Sequence, residues 1–289
     1  MASYDTLLAD RGLPPAPAPL PASVVDAHTH LDAAAAIDGG LTPALAMEIA
    51  ASVGVERLVQ VGCDAAGSEW AVALAEEAPT VVANVALHPN EVARHPERVA
   101  EGLETIARLA RNPHVRGVGE TGLDYFRTTD PAEQARQRDA FAAHIEIARE
   151  RGLTLVIHDR DAHDDILDVL AAQPLPDRVV MHCFSGDAAF ARRCADLGFW
   201  LSFPGVVTYP ANSALREALA VTPRTQLLVE TDAPYLTPVP ARGKRNSPYL
   251  LAHTVRFVAE RRGWDLTAAC RQMSANAFAA FGGHWGDDG

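Results

Sequence analysis

Short apolar runs recur along this chain, and the stretches between them have helical character. After Val24-Val25 the runs fall at residues 57–62, 80–87, 115–119, 153–157, 178–181, 199–203 and 226–229. Runs this brief and rich in Val, Ile and Leu predict strands buried on both faces, the pattern of a parallel sheet. The segments 42–53, 65–78, 96–111, 131–151, 162–172, 187–197, 212–220 and 248–281 predict helices. Thr42 is a candidate N-cap, with Pro43 at the first helical position.

Eight strands alternating with helices in 289 residues favour a single closed (β/α)8 TIM barrel, an α/β fold. An open doubly wound sheet would place a glycine-rich fingerprint after its first strand, and no GxGxxG or GxxxxGK occurs. Residues 1–22 carry Pro14, Pro15, Pro17, Pro19 and Pro21 and read as an extended, polyproline-like arm. The barrel domain is expected over 23–289.

The polar residues that close the predicted strands change the picture from fold to chemistry. In Asp26-Ala-His-Thr-His30 the side chains two apart share a strand face, so Asp26, His28 and His30 point one way. Other strand ends carry His88-Pro89, Glu120, His158, His182, Glu230 and Asp232. A lone histidine is ordinarily a hydrogen-bonded core residue, but in a closed barrel these ends meet at the C-terminal face, where the fold keeps its active sites. Mixed His and carboxylate ligands suit zinc or manganese better than magnesium, and a shared carboxylate makes a two-metal site feasible.

Composition bounds the rest. The chain is 48% hydrophobic and 21% charged, with no apolar run long enough to span a bilayer, and reads as a soluble cytoplasmic protein without a membrane partner. Cys63, Cys183, Cys194 and Cys270 form no CxxC pair and read as reduced, buried small hydrophobes. The net charge of −12 excludes a protein that grips a polyanion over its whole surface. A nucleic-acid substrate would need metal ions and local cations, and Arg127, Arg160, Lys244 and Arg245 follow strand-end motifs where they could ring a site. Tyr125, Phe126 and Tyr235 are candidates for stacking a base, although aromatic residues in such loops more often pack the loop down.

Seven linked motifs resemble the TatD family of metal-dependent hydrolases, within the amidohydrolase-like barrels. They are Asp26-Ala-His-Thr-His30, His88-Pro89, Gly119-Glu-Thr-Gly-Leu-Asp-Tyr125, Ile157-His158 with Arg160, His182-Cys-Phe-Ser-Gly186, Glu230-Thr-Asp-Ala-Pro-Tyr-Leu236 and Gly243-Lys-Arg-Asn246, in order over about residues 24 to 282. The resemblance implies two divalent metal ions (zinc, manganese or magnesium), one held by His28, His30 and Asp232, the other by His158 and His182, with Glu120 bridging. It implies that His88 contacts the substrate phosphate. It also implies a deoxyribonuclease trimming strands from the 3′ end or cutting at damaged sites, with single-stranded or frayed DNA as substrate. Asp232 is also a candidate proton acceptor, and Asp26 a support that orients the histidines. Ala86 departs from the glycine more usual before Leu-His-Pro, and the arm is longer than usual. A monomer is expected.

Two other functions compete. The same centre could hydrolyse a carbon ester or amide, as a lactonase or deacylase does, but the bridging lysine usual there is missing because no lysine closes a strand. A non-catalytic binding barrel would have lost ligands, and none is missing.

Overall fold

The computed structural model describes residues 4–37 and 39–286. Residues 1–3 of the expected arm, and 38 and 287–289 of the expected barrel domain, lie outside the described residues. Eight strands lie in one sheet in chain order: β1 (Val24–Thr29), β2 (Val55–Gly62), β3 (Val81–Val85), β4 (Val115–Asp124), β5 (Thr154–Arg160), β6 (Val179–Met181), β7 (Trp200–Phe203) and β8 (Leu227–Val229). Their pairing is parallel, and helices alternate with them, forming the nearly closed (β/α)8 barrel that the apolar pattern predicts.

The helices are α1 (Asp5–Asp10), α2 (Leu31–Ala36), α3 (Pro43–Ser52), α4 (Ala65–Glu77), α5 (Pro89–Arg94), α6 (Val99–Leu109), α7 (Pro131–Arg151), α8 (His163–Ala171), α9 (Ala188–Asp196), α10 (Ser213–Val221), α11 (Leu251–Arg262) and α12 (Leu266–Ala280). Local chemistry sets several ends. Asp130 accepts the amides of Ala132 and Glu133 at the start of α7, and Gly152 closes it in the left-handed conformation (φ 62°). Thr42 accepts the amide of Leu45 and Pro43 opens α3.

The chain packs as two compact units, one drawn from Met1–Val59, Gly186–Ala195 and Leu201–Phe278, the other from Gln60–Ser185, Asp196–Trp200 and Ala279–Gly289. In the first unit the chain beyond β8 returns to β1. The amide of Asp232 donates to the carbonyl of His28 (2.9 Å) and that of His30 to the carbonyl of Ala233 (2.8 Å). The arm belongs to this unit and is not extended throughout. Before the first proline the chain coils into α1 and buries Leu8; beyond α1, Leu13 and Leu20 are buried too. Tyr249 donates its hydroxyl to the carbonyl of Pro14 (2.7 Å), and Arg256 donates to those of Ala18 and Pro19 (both 2.9 Å).

In the second unit α7 organises the strand ends. Gln137 and His144 lie seven residues apart, on one face of the helix, and both are fully buried. Gln137 accepts the amide of Asp124 (3.0 Å) and donates to the carbonyl of Pro89 (3.1 Å) and the hydroxyl of Thr128 (2.9 Å). His144 accepts the amide of Leu87 through Nε2 (3.0 Å) and donates through Nδ1 to the carbonyl of Ala140 (2.7 Å). One helix face thus fixes both the end of β4 and the turn that carries His88.

Strand β4 is longer than the apolar run predicts and is irregular in the middle. Val118 pairs with Leu155, yet Thr121 pairs with Ile157, so β4 takes three steps where β5 takes two. An extra residue of this kind re-aims the side chains beside it, here Glu120. The strand comes too close to β5 for side chains at its glycines. A Cβ on Gly119 would meet the carbonyl oxygen of Val156 at 2.4 Å, and one on Gly122 (φ 139°) that of His158 at 2.1 Å.

Candidate metal centre

In the first unit, β1 and the turn after β8 bring three ligand-type side chains together. His28 Nε2 and His30 Nε2 are 3.2 Å apart, and Asp232 Oδ1 lies 3.3 Å from His30 Nε2 and 3.9 Å from His28 Nε2. Ligands about 2.1 Å from one tetrahedral ion are separated by roughly 3.4 Å, so the spacing fits a divalent cation. Asp232 sits in the left-handed region (φ 54°), which aspartate tolerates and which functional sites often use.

Asp26 holds the backbone that presents the imidazoles. Its carboxylate accepts the amide and hydroxyl of Thr231 (2.8 and 2.5 Å) and the amide of His28 (3.3 Å). Burial pushes its pKa up to about 8 against the pull of those donors. Asn246, buried, donates to the carbonyls of Thr231 (2.9 Å) and Tyr235 (2.5 Å) and braces the same turn.

In the second unit, three imidazoles converge on one carboxylate oxygen. Glu120 Oε1 lies 2.6 Å from His158 Nδ1, 3.3 Å from His182 Nε2 and 3.4 Å from His88 Nε2. The contacts to His182 and His88 have the spacing of ligands to a common ion, whereas that to His158 is a direct hydrogen bond. Burial alone would raise the Glu120 pKa, but His182, His88 and the hydrogen bond from His158 hold it well below the usual carboxylate range. Burial lowers the His158 pKa, yet Asp124 and Glu120, facing its two ring nitrogens, outweigh that and raise it to about 9. His88 caps α5 by accepting the amide of Asn90 through Nδ1 (3.0 Å). That leaves Nε2 as its donor when neutral, the form burial favours.

Glu120 and His158 lie inside β4 and β5 rather than beyond them, because both strands run on past their apolar cores. Asp124 joins this cluster, although the apolar run of its strand ends at Gly119. It is buried, accepts the amide of Arg127 (2.8 Å) and the side chain of Asn90 (3.0 Å), and lies 3.4 Å from His158 Nε2. Burial would raise its pKa, but these partners hold it well below the usual range. Its signal was the even spacing from Glu120 along one strand.

The expected cations differ in their freedom. Arg127 and Lys244 are exposed, and Arg160 lies over the ring of Phe126, 4.0 Å from its centre. Arg245 donates to the carbonyls of Arg11 (2.5 Å) and Gly39 (3.3 Å), so its guanidinium ties the arm down. Tyr125 is pinned, donating to Asp165 (2.6 Å) and accepting from Arg138 (2.7 Å). Phe126 and Tyr235 are 59% and 57% exposed, with Tyr235 edge-on to His30 at 6.3 Å.

Residues 25–282 match the family model of TatD-related DNases. The chain belongs to the TatD family of metal-dependent hydrolases. It is 45% identical over 265 residues to the metal-dependent hydrolase TatD of Mycobacterium tuberculosis, covering 91% of this chain and 99% of that protein. It is 36% identical over 239 residues to the 3′-5′ ssDNA/RNA exonuclease TatD of Erwinia billingiae, covering 80% and 90%. The crystal structure of the TatD homologue YjjV from Escherichia coli K12 superimposes with a TM-score of 0.80 at 28% identity, covering 89% of this chain and 97% of that one. Among the described residues, no helix is long and apolar enough to cross a membrane.

Proposed function

We propose that this TatD-family hydrolase is a deoxyribonuclease that cleaves phosphodiesters in single-stranded or frayed DNA, trimming from the 3′ end or cutting at damaged sites. The observation that carries the reading is the crowding of His88, His158 and His182 around one oxygen of Glu120, beside no lysine that could serve an amide-hydrolysing centre. The curated relative named as a 3′-5′ ssDNA/RNA exonuclease supports the choice of substrate.

In this reading His28, His30 and Asp232 would hold one divalent ion, and His158, His182 and Glu120 would hold another; zinc and manganese suit the donors best. Two such ions supply an activated water and neutralise charge developing on the phosphate. Asp232 accepts the proton of the attacking water. His88, with Nδ1 engaged by Asn90, donates from Nε2 to a phosphate oxygen. Arg127, Arg160 and Lys244 offer local positive charge that the −12 chain lacks overall, while Arg245 contributes through the arm it anchors. The working unit is a monomer in the cytoplasm, with residues 1–22 as an N-terminal arm and 23–289 as the catalytic domain.

A substrate panel tests this. Single-stranded DNA, duplex DNA, RNA, a lactone and a D-aminoacyl ester are offered under manganese, magnesium and zinc, with a chelator control. Shortening of DNA from the 3′ end that the chelator stops is the expected result. Turnover of the lactone or ester with no DNA cleavage would replace this reading with a carbon-ester hydrolase.

A further inference from the structure

Of the four cysteines, Cys194 and Cys270 are buried as the sequence predicts, whereas Cys63 and Cys183 are not. Cys63 follows β2 directly and is half-buried. Its Sγ lies 4.0 Å from Glu120 Oε2, the oxygen opposite the one that three imidazoles surround. Its backbone is fixed there, because the carbonyl of Cys63 accepts the amide of His88 (2.8 Å). The next residue, Asp64, caps α4 by accepting the amide of Gly67 (2.6 Å).

We propose that Cys63 is a ligand to the metal ion bound at Glu120 Oε2, giving this centre a soft sulfur donor that selects a thiophilic divalent cation over magnesium. The inference rests on the metal-centre reading above. A sulfur about 2.3 Å and an oxygen about 2.1 Å from one tetrahedral ion are roughly 3.6 Å apart. The observed 4.0 Å is a few tenths of an ångström longer, within reach of a small side-chain rotation. As the metal–sulfur bond forms, the thiol proton leaves to solvent. Oxygen and nitrogen ligands alone leave zinc, manganese and magnesium in competition, whereas thiolate favours zinc, cobalt and cadmium. Cys183 follows the proposed ligand His182 directly and makes the right control.

The test is the absorption spectrum of the cobalt-substituted protein, with zinc X-ray absorption as a second measurement. Visible d–d bands together with a near-ultraviolet sulfur-to-cobalt band are expected in the parent protein. The near-ultraviolet band should vanish in Cys63→Ser and persist in Cys183→Ser. The zinc spectrum should need a sulfur scatterer at about 2.3 Å. Visible bands without the sulfur band in the parent protein, or a sulfur band that survives Cys63→Ser, would overturn the role of Cys63 and leave the metal centre standing. Absence of any visible cobalt band would overturn the metal centre itself. Should Cys63→Ser fail to fold, loss of the band in Cys183→Ser would equally overturn the role of Cys63, and its persistence there would uphold it.

Discussion

Thr231 donates both its amide and its hydroxyl to the carboxylate of Asp26, at 2.8 and 2.5 Å. Asp26 stands two residues before His28, and Thr231 stands one before Asp232, so this pair aligns two sources of the proposed ligand side chains. Thr231→Val removes the hydroxyl and leaves one lone pair of a buried carboxylate unmet. We expect a loss of about 1–3 kcal/mol in urea unfolding. Metal retention should weaken roughly 10- to 100-fold, as for other outer-shell partners. Unchanged metal affinity in a folded variant would remove the pair from the working site.

Glu120→Ala deletes the carboxylate on which His88, His158 and His182 converge. Turnover should fall by at least about 100-fold, the upper end of what losing an outer-shell partner costs. Elemental analysis should show lower metal content. Wild-type metal stoichiometry and rate in this variant would reject Glu120 as a ligand.

His144 should make the fold acid-sensitive. It is fully buried and neutral, and burial lowers its pKa to about 4. The unfolded chain takes up its proton near 6.5, so below that pH the unfolded state binds more protons than the native state. Stability is therefore complete above about 6.5 and falls as the pH drops toward 4, by on the order of 3 kcal/mol. His144→Leu should be less stable at neutral pH, since the amide of Leu87 loses its acceptor, but its stability should fall less steeply between pH 6.5 and 4. Urea midpoints measured at several pH values would show it; parallel slopes would assign the acid sensitivity elsewhere.

Phe126 keeps most of its ring in solvent with Arg160 against it. If a base stacks there, Phe126→Ala should raise KM for single-stranded DNA roughly 5- to 150-fold with kcat little changed, matching about 1–3 kcal/mol per stacked base. Phe126→Trp should restore it. Equal KM values for all three proteins would leave Phe126 without a part in binding.

The arm is a structural element and should behave as one. Tyr249→Phe removes one buried hydrogen bond to Pro14 and should cost about 1 kcal/mol. Deleting residues 1–19 uncovers the surface under Leu8 and Leu13 and should cost more. Chemical denaturation of both variants gives the comparison, and a truncated protein as stable as its parent would show the arm to be dispensable.

Much of the barrel is readable in the chain because strands buried on both faces must be apolar throughout, as in 153–157 and 199–203. The bounds of the helix over 131–151 are legible to the residue, and the structure shows Asp130 and Gly152 capping its two ends. The six-residue helices α1, α2 and α5 are not legible, being too short to show a period. The ligand-type residues stood out by position, but the partners that hold them did not. Gln137, His144, Thr231 and Asn246 look like ordinary helix or turn residues until folding brings them to the carbonyls and amides they bind. Nothing near Cys63 in sequence marks it as more than a small hydrophobe, because no second cysteine is close; its neighbour in space is Glu120.

The uneven pairing of β4 with β5 amounts to a change of reading frame for side-chain faces. Up to Val118 the strand alternates in one phase; from Thr121 it alternates in the other, so that Gly122 and Asp124 come level with His158 and Arg160. Removing one residue between these points would restore the first phase and turn Asp124 away from His158. No replacement of side chains could turn it back. This strand should therefore accept substitutions far more readily than a change of length, and family members that keep Asp124 facing His158 should keep the residue count between 118 and 124 as well.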